Sequence, residues 1–255
     1  MTHTQDKSTA MRQGVLIFVY LGILTVLEYF IAVAFDAVPL LVVVALVKAG
    51  LVMYYYMHIY RLSEDDGSDE HSYAYKTGTN RLGLWLFLLS DAFVFGGLMV
   101  ARINLLGMTR PHLNQLLGLG VTAVLLISSF FMNRAETAIA HGDRKTFMTG
   151  TFITMILGLL FVIGVVGLEW QLAKIEEVIA NRDVVGAVFY MMTGMHAFHV
   201  LTGVILLFTV WNKGRKGLYT AEKHWGVEAA AVYWHFVDVV WIFFYPALYL
   251  IGKVL

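Results

Sequence analysis

The chain has 255 residues, of which 59% are hydrophobic and only 14% charged, with 18 basic and 18 acidic side chains and no cysteine. Ordinary soluble domains carry about 25% charged residues, so this composition, with a mean hydropathy of +0.71, argues against a soluble core and for a polytopic membrane protein. Lack of cysteine excludes disulfides, thiolate-held iron–sulfur clusters, covalent c-type haem and a paired-thiolate copper centre. Nothing in the charge balance calls for a nucleic-acid partner.

Taken in chain order, uncharged apolar runs near 20 residues fall at 14–34, 38–60, 83–105, 115–133, 147–168, 185–211 and 230–252. None alternates like a barrel strand, and runs of this length satisfy their backbone in lipid only as helices. The predicted fold is therefore an all-α, polytopic bundle of seven transmembrane helices. The first 13 residues are polar and lack a small-residue cleavage pattern, so the first span is expected to be retained.

Arginine and lysine set the orientation. Lys7, Arg12, Arg61, Lys76, Arg81, Arg134, Arg144, Lys145, Lys213, Arg215, Lys216 and Lys223 fall on the side of the amino terminus. Only Arg102, Arg110, Lys174, Arg182 and Lys253 fall on the other, with Lys48 inside the second span. The positive-inside rule then puts the amino terminus in the cytoplasm and the carboxyl terminus outside. Lys48 can snorkel toward the interface if its span tilts, which is its bland reading.

The stretch LSEDDGSDEHSYAYKTGTNR at 62–81 is too polar to bury and reads as a solvated connection. It divides the chain into a two-helix region at 1–62, an acidic cytoplasmic linker at 63–82 and a five-helix domain at 83–255. An acidic docking site for a basic partner is the other reading of this linker. No repeat relates the halves, which weakens an inverted-repeat transporter reading.

Ionisable groups inside the spans are the candidate functional residues, because an acid at the centre of a spanning helix costs about 2.5–3.5 kcal/mol on insertion scales. The run EAAAVYWHFVDVVW holds Glu228, His235 and Asp238, with Glu228 and His235 two turns apart on one face. Trp234 and Trp241 repeat that spacing on an adjacent stripe, a pattern suited to packing against partners. Asp91 lies about nine residues into the third span, one turn before Gly96 and Gly97. His196 and His199 lie one turn apart in MTGMHAFHVLTG.

Each has a bland and a sharp reading. For the histidines the bland one is hydrogen bonding between helices; the sharp ones are lipid headgroup contact, or a b-type haem held between one of them and His235. For Asp91 the alternatives are a protonated, hydrogen-bonded acid, a proton-handling group and a headgroup contact. At the cytoplasmic start of the last helix, His224 and Glu228 are expected to cluster with Glu136 and His141, where a divalent cation could bind. No phosphate loop, dinucleotide fingerprint, HExxH or ExxH pair is present.

Five pieces carry a family resemblance: LWLFLLSDAFVFGG at 84–97, GDRKTF at 142–147, GLEW at 167–170, TGMHAFHVLTG at 193–203 and HWGVEAAAVYWHFVDVVW at 224–241. In this order they resemble subunit III of the haem-copper respiratory oxidases. Residues 14–62 are similar to the small prokaryotic subunit IV of the same enzymes, through Lys48, Tyr54 to Tyr56, Met57 and His58; the alternative is a divergent first pair of subunit III helices. The family commonly has glutamate where this chain has Asp91. Pro246 is expected to kink the last helix near its outer end.

The resemblance implies a non-catalytic core subunit of a proton-pumping terminal oxidase in the bacterial cytoplasmic membrane. Haem and copper would lie in partner subunits, and this chain would bind no cofactor itself. It would bind phospholipids in a cleft between the first two helices and the other five, and would support proton uptake and prolonged turnover. Its partners would be the catalytic subunit I, subunit II, membrane phospholipids and other respiratory complexes. Cytochrome c and quinol both remain possible electron donors. An independent cytochrome and a transporter are the competing classes, separated by a visible spectrum and by solute uptake.

Overall fold

A computed structural model describes residues 7–35, 37–59, 73–175, 178 and 183–254. Seven helices in it are long and apolar enough to cross a membrane. In chain order they are α1 (Lys7–Phe35), α2 (Val38–Leu51, continued by a π-helical turn over Val52–Tyr56), α3 (Tyr73–Leu106), α4 (Gln115–Ala140), α5 (Arg144–Val162), α7 (Val184–Arg215) and α8 (Trp225–Tyr245). α5 runs through a π-helical stretch, Ile163–Glu169, into the short α6 (Trp170–Ile175).

Helix starts follow local chemistry. Asn114, Asp143 and Asp183 each precede a helix and accept a hydrogen bond from the backbone three residues on, at 3.0, 3.1 and 2.6 Å. Each satisfies one of the donors that a helix start leaves open.

The expected linker ends earlier than the sequence suggested. α3 begins at Tyr73, so 73–82 is helical, while 63–72 lies outside the described residues. Tertiary contacts hold this first part of α3 despite its polarity. The Trp225 amide donates to the Tyr73 hydroxyl at 3.3 Å, the Lys223 ammonium sits 6.0 Å from the Tyr73 ring centroid, and Arg81 pairs with Glu228.

α8 is the central element. It packs against α7, α4, α3 and α2, and most of its residues are buried within this chain. Its tryptophan stripe packs on the chain's own helices. Trp234 lies between α5 and α7 where both carry glycine. A Cβ on Gly158 would stand 2.4 Å from the indole, and one on Gly203 would stand 3.0 Å away. Small residues at these two points let three helices approach closely. The indole N–H of Trp234 donates to Ser128 at 3.1 Å and that of Trp241 to Thr122 at 2.9 Å.

Lys48 does not snorkel. It is buried with Glu28 of α1 and donates to that carboxylate, each side chain being no more than 1% exposed. A carboxylate one helix away offers a partner inside the bundle, so the ammonium has no need to reach the interface.

The outer end is closed by Arg102. Its guanidinium donates to four carbonyls: Ala247 at 2.8 Å, Gly107 at 2.7 Å, Thr109 at 3.1 Å and Ile251 at 2.9 Å. Beside it, β1 (Thr109–Arg110) pairs in parallel with β2 (Lys253–Val254). At Pro246 α8 passes into a π-helical turn, Pro246–Leu250, closed by the Ile251 amide on the Pro246 carbonyl at 2.8 Å. Proline lacks a donor and disturbs the α ladder, and the wider turn is how the chain accommodates it.

Candidate functional site: an acid and a histidine on an open groove

Asp91 of α3 and His199 of α7 meet on the wall of a groove of about 610 Å³. The Asp91 Oδ2 is 3.6 Å from the His199 Nε2, and the side chains are 18% and 12% exposed. Helical periodicity explains the placement: Asp91 and Phe95 are one turn apart and project to the same side, where the Phe95 ring lies 4.7 Å from the imidazole. The His199 Nδ1 is 2.8 Å from the Met195 carbonyl, a contact that requires a proton on Nδ1. Nε2 faces the carboxyl, and the Asp91 Oδ2 has no hydrogen-bond partner among the described residues.

Tyr233 of α8 completes the polar strip. Its hydroxyl is 2.7 Å from the Thr202 Oγ1 and donates to the His199 carbonyl at 3.3 Å. Leu84, Phe87, Phe198 and Leu206 supply the apolar remainder of the wall. A strip of proton-bearing groups on an apolar, laterally open trough can donate to and accept from a polar headgroup while the walls cover hydrocarbon.

The other sequence candidates lie elsewhere. His196 is fully buried, and neither ring nitrogen has a hydrogen-bond partner among the described residues. Its ring lies 4.8 Å from Trp241 and 5.5 Å from Phe161. His235, also fully buried, has Nδ1 2.9 Å from the Ser129 hydroxyl and its ring 5.0 Å from Tyr56. Trp241 and His235 are six residues apart, hence on different faces of α8, so His196 packs beside the face that His235 does not use. Asp238 is 2% exposed, and its carboxyl oxygens have no hydrogen-bond partner among the described residues.

Glu228 takes both Nε and Nη2 of Arg81 on one oxygen, at 2.9 and 2.8 Å. It is thus engaged by α3. His224 and His141 are each bound to a backbone carbonyl one turn away, at 3.2 and 2.8 Å. Glu136 is largely buried on α4. Among the described residues no three His, Asp or Glu side chains gather as a metal site.

Sequence reasoning passed over several groups that the fold uses. Glu28 in LTVLEYF is an intramembrane acid of the same kind as Asp91, and the same cost argument would have singled it out. Glu169, within GLEW, is buried and accepts from the Tyr249 hydroxyl. At the start of α5, Asp143 binds the Lys7 ammonium at 2.7 Å and the Thr146 amide and hydroxyl at 3.1 and 2.8 Å. Those donors, Lys7 first, hold its carboxyl well below the usual range. Partial burial raises the Tyr219 phenol.

Fold and groove together define a helical, membrane-embedded subunit whose polar groups face helices and a lateral trough. The family profile for cytochrome c oxidase subunit III matches residues 15–253, and the chain belongs to that family. It is 37% identical to cytochrome c oxidase subunit 3 of Thermostichus vulcanus over 181 residues, covering 68% of this chain and 87% of that one. It is 34% identical to the Synechocystis protein over 178 residues, 66% of this chain and 74% of the other. With cytochrome c oxidase subunit 3 of Dasypus novemcinctus it shares 33% identity over 229 residues, 84% of this chain and 85% of the relative. The profile includes α1 and α2, so the amino-terminal hairpin falls within the same family match.

Proposed function

We propose that this chain is the non-catalytic subunit III of a proton-pumping haem-copper oxidase, seated in a bacterial cytoplasmic membrane against subunits I and II. Haem and copper belong to those partners. The Asp91–His199 groove holds a phospholipid headgroup, and through that lipid the subunit sustains proton uptake and prolonged turnover. The hairpin α1–α2, for all its likeness to subunit IV, takes the place of the first two subunit III helices. Cytochrome c is the donor favoured by the names of the relatives.

The observation that supports the lipid reading is the Asp91–His199 pair, 3.6 Å apart, at the wall of a trough whose lining includes Leu84, Phe87, Phe198 and Leu206. The unpartnered Asp91 Oδ2 can accept from a headgroup ammonium or hydroxyl, while the acyl chains lie against Phe87 and Phe198. The test is lipid analysis of the purified oxidase with His199→Leu in this chain. Less phospholipid per complex and faster inactivation during turnover are expected. Unchanged lipid content and lifetime in a fully assembled complex would remove the reading.

A further inference from the structure

A small cavity of about 40 Å³ lies where the first turns of α1, the end of α2 and the last turns of α4 converge. Gln13, His58, Asn133 and Thr137 are in its lining, together with Tyr56, whose hydroxyl donates to the Gly14 carbonyl at 3.0 Å. Gly14 is what admits the Asn133 amide, since a Cβ there would stand 2.5 Å from its Oδ1. His58 leaves the π-helical turn at φ 50°, in the left-handed region that residues other than glycine seldom take. A water molecule needs about 10–15 Å³ and two to four polar partners. The cavity has the room and the polar groups for about three.

Behind Tyr56 the polar groups continue into α8. The Tyr56 and His235 rings are 5.0 Å apart, Asp238 is within electrostatic reach of Tyr56, and His58 of His235. His235 and Asp238 are three residues apart, hence on one side of the helix. Neither the His235 Nε2 nor either Asp238 carboxyl oxygen has a hydrogen-bond partner among the described residues, although the two residues are 0% and 2% exposed. Buried polar atoms that protein groups do not reach are held by ordered water. We infer that internal water enters at the cavity, passes Tyr56 and is bound between the His235 Nε2 and the Asp238 carboxyl, which puts that carboxyl in contact with the solvent at the end of the bundle where α1 begins. His196 marks the contrast. It is as deeply buried and its nitrogens also lack partners among the described residues, but the rings of Trp241, Phe161 and Phe95 surround it. A water there would have the imidazole alone to bind, too few partners to hold it, so that site is dry. The water site is built by α1, α2, α4 and α8 and does not depend on the Asp91 groove, which is lined from α3, α7 and α8.

The test is X-ray radiolytic footprinting of the assembled complex carrying this chain, in which hydroxyl radicals made from bound water mark the side chains beside it, read by mass spectrometry. Tyr56 and His235 should be labelled despite their burial, and His235 well above His196, a side chain of the same chemistry and the same burial. Asn133→Leu takes an amide out of the cavity wall, and Asp238→Leu takes away a partner of the water. Each should bring the labelling of His235 down to that of His196. Equal labelling of the two histidines in the unaltered complex, or labelling of His235 that either variant leaves unchanged, would overturn the inference without touching the Asp91 reading. Should the variants fail to assemble, a cryo-EM map of the unaltered complex decides. Water density between the His235 Nε2 and the Asp238 carboxyl supports the site, and side-chain density filling that space defeats it.

Discussion

Lys48 and Glu28 form an ion pair between α2 and α1 at membrane depth, with no more than 1% of either side chain exposed. Each charge is tolerable only because the other is present, since desolvation of an unpaired ion in such a site costs several kcal/mol. The hairpin is thereby joined by a contact that depends on both residues.

From that dependence follows a mutational cycle. Lys48→Leu or Glu28→Leu alone should destabilise the subunit by about 3–5 kcal/mol, while the double change should recover most of the loss, because two leucines leave no orphaned charge. Retention of this chain in the purified complex during a thermal ramp measures it. A double variant worse than either single one would mean that the pair does more than neutralise itself.

Asp91→Asn removes the carboxyl proton site but keeps hydrogen-bonding capacity beside His199. The initial rate of oxygen reduction should stay within about threefold, a barrier change near 0.7 kcal/mol. Immediate loss of oxygen reduction in an assembled complex with all haems present would make Asp91 a participant in the chemical step.

Arg102 gathers four carbonyls from the α3–β1 connection and the carboxyl-terminal segment. Arg102→Met should cost about 3 kcal/mol or more, given hydrogen bonds to charged groups at roughly 1.5–3 kcal/mol each and the desolvation penalty of carbonyls left open. The expected signature is local. Amide exchange over 247–254 should accelerate, while exchange within α5 and α7 should not.

Lys7 and Asp143 predict a pH dependence at the start of α5. Their donors depress the Asp143 carboxyl, so its contribution to stability is present above the ordinary aspartate value near 3.9. It is lost as pH falls through the lower folded value. The pair is part-exposed, at 39% and 28%, so solvent screening limits it to about 1 kcal/mol or less. Melting of the complex with Asp143→Asn should trail the unaltered protein by a constant margin from pH 7 to 5. That margin should shrink only below about pH 4; a margin already vanishing at pH 6 would assign the effect to another group.

Much was legible in the sequence because lipid imposes a one-dimensional rule. Span number and the cost of Asp91, His196 and His235 depend on composition along a single helix. α3 starts before its apolar run does: Tyr73 to Arg81 is polar enough to read as loop, and its contacts with Lys223, Trp225 and Glu228 exist only in the fold.

Which polar group meets which is a different kind of quantity. Periodicity puts Glu228 and His235 on one face of α8, yet Glu228 is taken by Arg81, 147 positions away, and His235 by Ser129, 106 positions away. His196 and His199, one turn apart, divide between an aromatic interior and the Asp91 groove. Membrane insertion is a sum over residues of one segment and is written in the chain. Pairing depends on crossing angles and on glycines such as Gly158 and Gly203 that let Trp234 in, so it arises only when the helices pack.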